Sequence, residues 1–498
     1  MDRKHVALCA LLAFSPGAVM AQAENCATRD NNTFDKLLQC VTLDGVRAHQ
    51  AALQAVADAN NDHRVSGSAG HDQSVEYVVE TLTNAGYAVT VQDFQFQTFI
   101  SQSRTVLEQV SPPPAGPAAN SILSYSGSGD VTAAVTALAA PPVDATPGCE
   151  AADFAGFPAG NIALISRGGC AFAIKATNAY NAGASGVIIY NNAAGDLNGT
   201  LGSGFTLDIG VTSVTQAVGQ QLAATPGLVM RLKTDTFRGL ATSYNVLAET
   251  VLGNPNNVVM LGAHLDSVNA GPGINDNGSG SAAILETALQ MARVEPRNKV
   301  RFAFWGAEES GLVGSTFYVN SLSAEERANI SLYLNFDMIG SPNHVFFIYD
   351  GDDSDTVGAG PGPAGSAAIE KVLERFYTEL AGVPFKGTDF SGRSDYGPFI
   401  AAGIPAGGLF TGAEGIKTAA EAATWGGTAG QQYDPCYHQA CDTYANNNDF
   451  ALDVNSDAVA YSALKYAMDT SDVNALKGKG NFKPKGKKPP PFPQPVAQ

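Results

Sequence analysis

The chain has 498 residues, of which 45% are hydrophobic and only 15% are charged. At about 100–200 residues per domain, this length predicts roughly two to four structural units. The formal net charge of -18 argues against a nucleic-acid partner, because phosphate binding depends on clustered Lys and Arg. No apolar run reaches the ~18 residues that a membrane span requires. The composition therefore argues against a nucleic-acid binder and a membrane channel.

The N-terminal segment predicts export. Arg3 and Lys4 precede an apolar run from Val6 to Phe14, and small residues around Ala21 follow it. These are the charged, apolar and cleavage regions of a secretory signal peptide. We therefore expect residues 1–21 to be a signal peptide and the protein to be secreted, either into the periplasm or outside the cell.

The cysteines agree with an exported protein. Of the seven in the chain, Cys9 lies in the signal segment, so the mature chain keeps six, an even number that favours disulfides. Six cysteines allow 15 pairings. Proximity in the sequence favours Cys26–Cys40, Cys149–Cys170 and Cys436–Cys441. A cysteine zinc site is the alternative, but no pair has the CxxC spacing that such sites prefer.

The first part of the chain changes from helical to strand-like patterns. Phe34 to Gly86 has helical periodicity, and Val89 to Phe99 alternates like a strand. Ser111 to Pro117 is rich in proline and is predicted to be a linker. The segment after it contains predicted strands and one helix: strands Val131–Leu138, Asn161–Ser166, Val187–Tyr190 and Val229–Leu232, and helix Phe172–Ala182.

The second half alternates apolar strands with helices. The predicted strands are Tyr244–Leu252, Val258–Ala263, Val300–Trp305 and Leu332–Phe336, and the predicted helices are Ser281–Ala292, Leu312–Leu322 and Ile369–Leu380. This alternation predicts a mostly parallel sheet with helices on both faces. We therefore expect a main domain from residues 22–112 and 239–472, an inserted domain from residues 113–238, and a basic, Pro-rich disordered tail from residues 473–498.

Polar side chains follow three of these predicted strands. The strands run into His264 and Asp266, into Glu308 and Glu309, and into Asp337, and Asp276 lies in the tight loop before the next helix. Ligands of open α/β sheets bind at the carboxyl ends of strands. Any one of these residues could be an ordinary solvated loop residue, but the whole cluster would repel itself unless cations neutralised it. Mixed His and carboxylate ligands suit zinc, and a carboxylate between two metals about 3.5–4 Å apart makes a hydrolytic site.

Two zinc ions would need a second histidine. His438 lies in a short segment between Cys436 and Cys441, where a disulfide would fix its position. The other histidines lie in the signal, in the N-terminal helical part or in a predicted hairpin: His5, His49, His63, His71 and His344. His438 is therefore the best second ligand.

The motifs of the second half resemble those of the secreted di-zinc aminopeptidases of the Streptomyces, Aeromonas and vacuolar aminopeptidase Y group. The resemblance is carried by Gly262–Ser267, Gly273–Gly278, Trp305–Glu309, Asn335–Gly340, Gly392–Asp395 and Cys436–His438, and by Gly407–Ala413 and Trp425–Thr428 for the Streptomyces enzyme in particular. It implies an α/β zinc-peptidase (phosphorylase/hydrolase-like) sandwich with a central mixed, largely parallel sheet flanked by helices. The inserted segment resembles a β-rich α/β protease-associated domain, through Asn161–Phe172 and Gly183–Tyr190.

The resemblance implies a set of metal ligands. His264 and Asp337 would hold one zinc ion, Glu309 and His438 would hold the other, and Asp276 would bridge both. It also implies a cis peptide bond directly after the bridging residue, at Asp276–Asn277.

The resemblance also implies the catalytic and substrate-binding roles. Glu308 would be the general base, Asp266 would orient His264, and Tyr437 would help to stabilise the oxyanion. Arg393, together with Glu308 and Asp337, would lie where the free amino terminus of the peptide substrate docks. The implied enzyme is a monomeric zinc-dependent aminopeptidase that releases N-terminal amino acids by attack of a zinc-bridging water.

The chain departs from the Streptomyces pattern in two places. Tyr396 stands where that enzyme has a histidine, which predicts a different pocket shape and peptide preference. Asp453 and Asp457 match two carboxylates of a calcium site there. Cys40 falls near the position of that site's N-terminal ligand and cannot replace it, which argues against calcium.

Three alternative functions belong to related architectures. A carboxypeptidase of the glutamate carboxypeptidase type also carries a protease-associated domain, and a glutaminyl cyclase-type acyltransferase works with one zinc ion. A non-catalytic receptor-like module should lack several ligands, whereas all five are present here. Metal counting and a comparison of free with blocked amino termini would separate these functions.

Overall fold

The computed structural model describes residues 26, 28–195, 197–358 and 360–474. The expected signal peptide, residues 1–21, lies outside these residues, and so does the expected tail apart from Val473 and Asn474. Among the described residues, no helix combines the length and the apolar content that crossing a membrane requires.

The strands form two eight-stranded sheets. In chain order they are β1 (Ala88–Ser101), β2 (Val106–Ser111), β3 (Gly116–Pro117), β4 (Ser121–Ile122), β5 (Gly129–Ala137), β6 (Ile162–Ser166), β7 (Gly186–Tyr190), β8 (Val211–Val214), β9 (Val229–Thr234), β10 (Thr236–Glu249), β11 (Asn254–His264), β12 (Asn298–Trp305), β13 (Ile330–Phe336), β14 (Phe347–Tyr349), β15 (Lys386–Thr388) and β16 (Ala406–Phe410).

Helices flank both sheets. They are α1 (Phe34–Leu38), α2 (Leu43–Ala59), α3 (Ala69–Asn84), α4 (Phe172–Asn181), α5 (Gln216–Ala223), α6 (Gly278–Met291), α7 (Val313–Ser321), α8 (Ala324–Asn329), α9 (Ser366–Arg375), α10 (Tyr396–Ala401), α11 (Ala419–Trp425), α12 (Asp449–Met468) and α13 (Ser471–Asn474). The described residues also include a 3-10 turn at Ala151–Phe154 and a π-helical turn at Phe376–Ala381.

The first sheet has the order β1-β10-β12-β11-β13-β16-β14-β15. Its four central strands, β12, β11, β13 and β16, are parallel to one another. The pairs β1–β10, β10–β12 and β14–β16 are antiparallel, and β15 pairs parallel to β14 at the edge. From β11 the chain passes through α6 to β12, which lies beside β11 on one side. The later strand β13 lies beside β11 on its other side. This reversal is a topological switch point, where α/β sheets bind ligands beyond the carboxyl ends of the strands.

Alternate residues of the central strands enter two separate cores. Val259 and Leu261 of β11 pack with α2, α3, α6 and α12 on one face. Val258 and Met260 of the same strand pack on the opposite face, beside α7, α8 and α10. Because successive strand residues point to opposite faces, a strand buried on both sides has the continuous apolar sequence seen at residues 258–263. The predicted α/β fold, with a largely parallel central sheet between helices, is confirmed.

The second sheet has the order β3-β2-β9-β5-β6-β7-β8-β4 and is formed by residues 106–234. The chain enters it after β1 and returns through β10, and these two strands pair over their whole length, from Ala88 opposite Glu249 to Ser101 opposite Thr236. The inserted segment is therefore attached to the main sheet through one antiparallel ribbon.

The predicted linker at Ser111–Pro117 has a different role from the one expected. β2 already belongs to the second sheet, where it pairs with β9, and it also pairs with β3. Residues 112–115 therefore form the connection of a hairpin within that sheet. Proline lacks a backbone N–H and favours turns, so a Pro-rich segment of this kind suits a tight connection as well as a linker.

The structure contains the disulfides Cys26–Cys40, Cys149–Cys170 and Cys436–Cys441. These are the pairs that proximity in the sequence favours. The first joins the N-terminal segment to the end of α1, the second lies in the inserted segment, and the third closes the short segment that contains His438.

Candidate metal centre

The predicted site residues meet at the carboxyl ends of neighbouring strands. His264 is the last residue of β11, Glu308 and Glu309 follow β12, and Asp337 directly follows β13. Asp276 precedes Asn277, which caps the N-terminus of α6 by accepting a hydrogen bond from the backbone of Gly280. The site therefore lies at the switch point of the sheet.

The backbone is strained beside several of these residues. Ala307, Met338 and His438 have φ values of 54°, 49° and 56°, in the left-handed region that residues other than glycine rarely adopt. Ala307 precedes Glu308, and Met338 follows Asp337. Such strain persists only where the surroundings over-determine the conformation, and it concentrates at functional sites. The peptide bond Asp276–Asn277 is cis.

One group of ligand atoms surrounds His264. Its Nε2 lies 3.2 Å from Asp276 Oδ1 and 3.5 Å from Asp337 Oδ1. All three side chains are buried. One nitrogen and two carboxylate oxygens converge here, within the spacing that a single metal ion could bind.

A second group surrounds His438. Its Nε2 lies 3.2 Å from Asp276 Oδ2 and 3.1 Å from Glu309 Oε2. Asp276 thus offers one oxygen to each histidine, which is the arrangement expected of a carboxylate between two metal ions. His438 is the more exposed of the two histidines, with 34% of its side chain accessible, against 1% for His264.

The donors present fit zinc. Glu309 Oε1 and Asp337 Oδ1 are buried and have no hydrogen-bond partner among the described residues. A buried carboxylate oxygen without a partner is costly unless a cation binds it. Zinc accepts imidazole nitrogen and carboxylate oxygen, and both groups combine these two donor types.

The electrostatics of the site are dominated by buried negative charge. Burial raises the pKa of Glu308 well above its usual value, and the nearby Glu309 and Asp395 raise it further. Burial lowers the pKa of His438, but Glu309 and Asp276 outweigh this effect and raise the pKa to about 11. The cluster therefore needs positive charge to balance it, from protons or from metal cations. A bound dication would lower these pKa values, because its own charge is the largest in such a site.

Several polar residues hold the ligands from behind. The Asp442 carboxylate accepts hydrogen bonds from the backbone N–H groups of Asn275, at 2.8 Å, and Asp276, at 3.0 Å. Ser394 donates to Asp337 Oδ2 at 2.6 Å, which leaves Oδ1 directed towards His264. Sequence reasoning gave Asp442 and Ser394 no role, because hydrogen bonds across so many residues leave no local pattern.

Arg64 supports the loop between β11 and α6 from within the protein. Its guanidinium donates to the backbone carbonyls of Leu265, Pro272 (2.9 Å) and Gly273 (2.6 Å), and its side chain is fully buried. Burial lowers the pKa of Arg64 to about 10, while Asp266 and the other nearby carboxylates oppose this shift. Arg64 therefore remains charged at neutral pH and fixes the loop that carries the candidate ligand Asp276.

Asp266 contacts both His264 and Glu308. Its backbone carbonyl lies 3.1 Å from His264 Nδ1, closer than its carboxylate, which lies 3.6 Å away. The carboxylate accepts the backbone N–H of Glu308 at 3.1 Å. Asp266 is thus placed to orient the imidazole mainly through its main chain and to hold the Glu308 loop with its side chain.

Tyr437 and Arg393 lie together at the mouth of the site. The Tyr437 ring stacks on the His438 ring, with centroids 3.9 Å apart. Arg393 donates to the Tyr437 hydroxyl at 3.2 Å and pairs with Glu414 at 2.7 Å. Arg393 shares a small pocket with Glu308 and Asp337, but its hydrogen bonds go to Glu414 and Tyr437.

Two other groups of acidic residues lack the arrangement of buried ligand atoms without hydrogen-bond partners that is seen in this centre. Asp350, Asp352 and Glu370 lie close enough to share a cation, but Glu370 already accepts two backbone N–H groups and Asp352 pairs with Lys371. Asp453 and Asp457, both in α12, belong to no cluster of three possible metal ligands among the described residues.

Buried His and carboxylate side chains at the switch point of a helix-flanked sheet define a metallohydrolase type of site. The model of peptidase family M28 matches residues 245–463, and the PA domain model matches residues 131–222. The chain belongs to peptidase family M28 and contains a PA domain within it. The family expected from the motifs is confirmed, and the protein is an enzyme of the metallopeptidase class.

Relatives from bacteria and fungi are similar over most of the chain. An aminopeptidase of Pseudomonas aeruginosa (strain UCBPP-PA14) is 48% identical over 454 residues, covering 88% of this chain and 83% of that protein. A probable lipoprotein aminopeptidase of Mycobacterium tuberculosis is 43% identical, covering 88% and 87%. Leucine aminopeptidase 2 of Trichophyton rubrum is 42% identical, covering 87% and 86%.

Solved structures of aminopeptidases are also similar. An aminopeptidase from Aneurinibacillus sp. strain AM-1 is 28% identical with a TM-score of 0.56, covering 87% of this chain and 96% of that one. BSAP, a zinc aminopeptidase from Bacillus subtilis, is 25% identical with a TM-score of 0.61, covering 84% and 94%. The membership of family M28 and these neighbours imply zinc as the metal.

Proposed function

We propose that this chain is an exported zinc aminopeptidase that holds two zinc ions and releases N-terminal amino acids from peptides. The observation that carries the proposal is the position of Asp276, whose two oxygens each lie 3.2 Å from a different histidine. His264 and Asp337 would hold one ion, His438 and Glu309 the other, and Asp276 both. The names of the relatives support the aminopeptidase activity.

Glu308 is placed to move the proton in the reaction. It is buried beside both metal groups, and its loop is held by the bond from its N–H to Asp266. Bound zinc would polarise the scissile carbonyl and lower the pKa of the attacking water. Glu308 would accept the proton of that water and deliver it to the departing amine, first as a general base and then as a general acid.

Tyr437 is placed to stabilise the oxyanion. Its hydroxyl accepts a hydrogen bond from Arg393, so its own proton remains available for a developing negative charge. Arg393 would therefore act mainly by orienting Tyr437. The positively charged amino terminus of the substrate would dock against the carboxylates of Glu308 and Asp337, because these lie in the same pocket.

The small pocket beside the metal centre would receive the side chain of the first substrate residue. It has a volume of about 100 Å³, and Met338, Tyr349, Phe410 and Ala413 contribute apolar groups to its wall. Tyr396 closes it with a buried ring whose hydroxyl accepts a hydrogen bond from the backbone of Gly392 at 2.9 Å. The apolar part of this wall favours one aliphatic side chain, which agrees with the leucine aminopeptidases among the relatives.

The test is a panel of aminoacyl-p-nitroanilides measured with the intact protein, with a chelator, and with zinc restored. We expect the leucyl substrate to be cleaved, cleavage to stop on chelation, and two equivalents of zinc to restore it. N-acetyl-leucyl-p-nitroanilide should remain intact, because its amino terminus is blocked. Cleavage of blocked peptides would instead indicate a carboxypeptidase, and full activity with one equivalent of zinc would contradict the two-metal site.

A further inference from the structure

A second and larger cavity lies between the inserted segment and the main domain. It has a volume of about 900 Å³ and is lined by residues of both parts. The inserted segment contributes Ala119, Asn120 and Asn198, and the main domain contributes His63 and Ser103. We call this cavity the interdomain cleft.

The interdomain cleft meets the metal centre at His438. This residue lines both the cleft and the small pocket that contains Glu308 and Asp337. Asn198 of the inserted segment donates a hydrogen bond to the backbone carbonyl of His438 at 3.1 Å. The inserted segment thus contacts the loop of a metal ligand, and the cleft begins where the site ends.

The wall of the cleft is mostly uncharged. Many amide and hydroxyl side chains line it beside apolar groups, and the cation of Arg104 is already paired with Asp62. Ser124 lines the cleft, and its hydroxyl is not among the buried groups, so it is open to a ligand there. Neutral donors and acceptors of this kind match a peptide main chain rather than a phosphate or an isolated charge.

We infer that the interdomain cleft binds the part of the peptide substrate that follows the scissile bond. This inference rests on the aminopeptidase function proposed above. The first residue of the peptide would occupy the small pocket on one side of His438. The rest of the peptide must then leave on another side, and the cleft opens there. Its volume lies near the upper end of the ~300–1,000 Å³ that pockets for drug-sized ligands span, which suits several extended residues.

The first experiment is a length series with the intact protein. The substrates are leucyl-p-nitroanilide, the dipeptide Leu-Ala, and peptides that begin with Leu-Ala and contain up to six residues. Binding energy from remote parts of a substrate is expressed in kcat/KM, so we expect kcat/KM to rise about tenfold or more between the dipeptide and the longest peptide. A value that stays level across the series would overturn the inference. Because cleavage of leucyl-p-nitroanilide is measured in parallel, failure of the proposed function itself would be seen separately.

The second experiment blocks the cleft. Ala119 is exposed, lies in the loop between β3 and β4 and lines the cleft, so Ala119→Trp should fill part of it. We expect the ratio of kcat/KM for the longest peptide to that for leucyl-p-nitroanilide to fall about tenfold. The matched control is Ala223→Trp, at an exposed position on α5 outside the cleft, which should leave this ratio unchanged.

A smaller variant makes the test independent of the bulky one. Ser124→Ala removes a hydroxyl that lines the cleft and is not buried, so folding should be little affected. It should raise KM for the longest peptide and change KM for leucyl-p-nitroanilide less. Equal effects of Ser124→Ala or Ala119→Trp on both substrates would contradict the inference.

Discussion

Each of the two sheets contains three neighbouring parallel strands with almost completely buried side chains. In the main sheet these are β11, β12 and β13, and in the inserted segment β6, β7 and β8. The first set runs into histidine and carboxylate side chains. The second set runs into neutral side chains and one arginine: Ser166, Arg167, Asn191 and Thr215. The same strand arrangement thus positions candidate metal ligands in one sheet and mostly neutral side chains in the other, so the function depends on the residues at the strand ends.

The two strand-end edges also differ in what covers them. In the main domain, the segment containing Tyr437 and His438 closes over the strand ends and is held there by the Cys436–Cys441 disulfide. In the inserted segment, Arg167 and Asn192 at the strand ends are exposed. Buried charges need metal or hydrogen-bond partners, whereas exposed ones are satisfied by water. Substitutions at the two edges should therefore have different effects on metal binding and activity.

Glu308→Gln should abolish most turnover while the metal centre stays intact. The amide has the shape of the carboxylate but cannot accept the proton, so kcat should fall by about 10²–10⁴-fold. Zinc content and the thermal unfolding midpoint should match the unchanged protein, because Glu308 is not a proposed ligand. Near-normal kcat in this variant would contradict its role as the base.

His438→Ala should remove one zinc ion and most of the activity. The variant leaves Glu309 and Asp276 without the imidazole that lies 3.1–3.2 Å from them. The measurement is zinc per chain by mass spectrometry of the dialysed protein, with an expected fall from two equivalents to one. Thr215→Ala, at a strand end of the second sheet, is the control and should keep both. Unchanged zinc in His438→Ala would show that this side chain is not a ligand.

Arg64→Met should weaken metal binding without touching the metal. Arg64 holds three backbone carbonyls of the loop between β11 and α6, and loss of such a supporting residue typically costs about 10–100-fold in metal affinity or activity. Competition with a chelator measures the affinity. Arg64→Lys keeps the charge but cannot reach all three carbonyls. Its zinc affinity should therefore lie between those of the wild type and Arg64→Met. Equal zinc affinity in all three proteins would mean that the loop holds its shape without Arg64.

Sequence reasoning could place candidate site residues together where the chain itself is regular. His264, Glu308 and Asp337 follow strands whose apolar runs are visible in the sequence, and parallel strands bring their ends to one edge. His438 could be selected only because two cysteines flank it. Arg64 could not be found, because it acts through carbonyls about 200 residues further along the chain.

The prediction of the fold shows the same limit. Helix α12 (Asp449–Met468) was missed, although it is the longest of the described helices. It packs against α6, β12 and α2, so small and apolar residues occur around most of its surface and the one-sided period of a surface helix is absent. The prediction of a linker at residues 111–117, where the structure has a hairpin, is wrong because prolines occur in both and strand pairing is not visible in the sequence.

Replacing Cys149 and Cys170 by Ala should destabilise only the inserted segment. The disulfide closes a loop with a sequence separation of 21, and loss of such a cross-link typically lowers the free energy of unfolding by about 2–4 kcal/mol. Calorimetry should show an earlier transition for the inserted segment, while zinc content stays normal. The matched pair, Cys436 and Cys441 to Ala, should instead lower the zinc content, because that disulfide closes the His438 segment. A loss of zinc in the variant without Cys149 and Cys170 would contradict the expectation that the inserted segment can be destabilised without affecting the metal centre.

Asp457→Asn should have the smallest effect, visible only in the pH dependence of stability. Burial, and to a smaller extent the charge of Asp453, raise the pKa of Asp457 to about 7. The folded protein therefore holds this proton more tightly than the unfolded chain, so this carboxyl lowers the stability as pH rises from about 4 through 7. The variant should match the wild type at pH 4 and unfold at a higher temperature at pH 8. A calcium-dependent rise of the wild-type midpoint that Asp457→Asn removes would contradict this account, because the carboxylate would then be a calcium ligand.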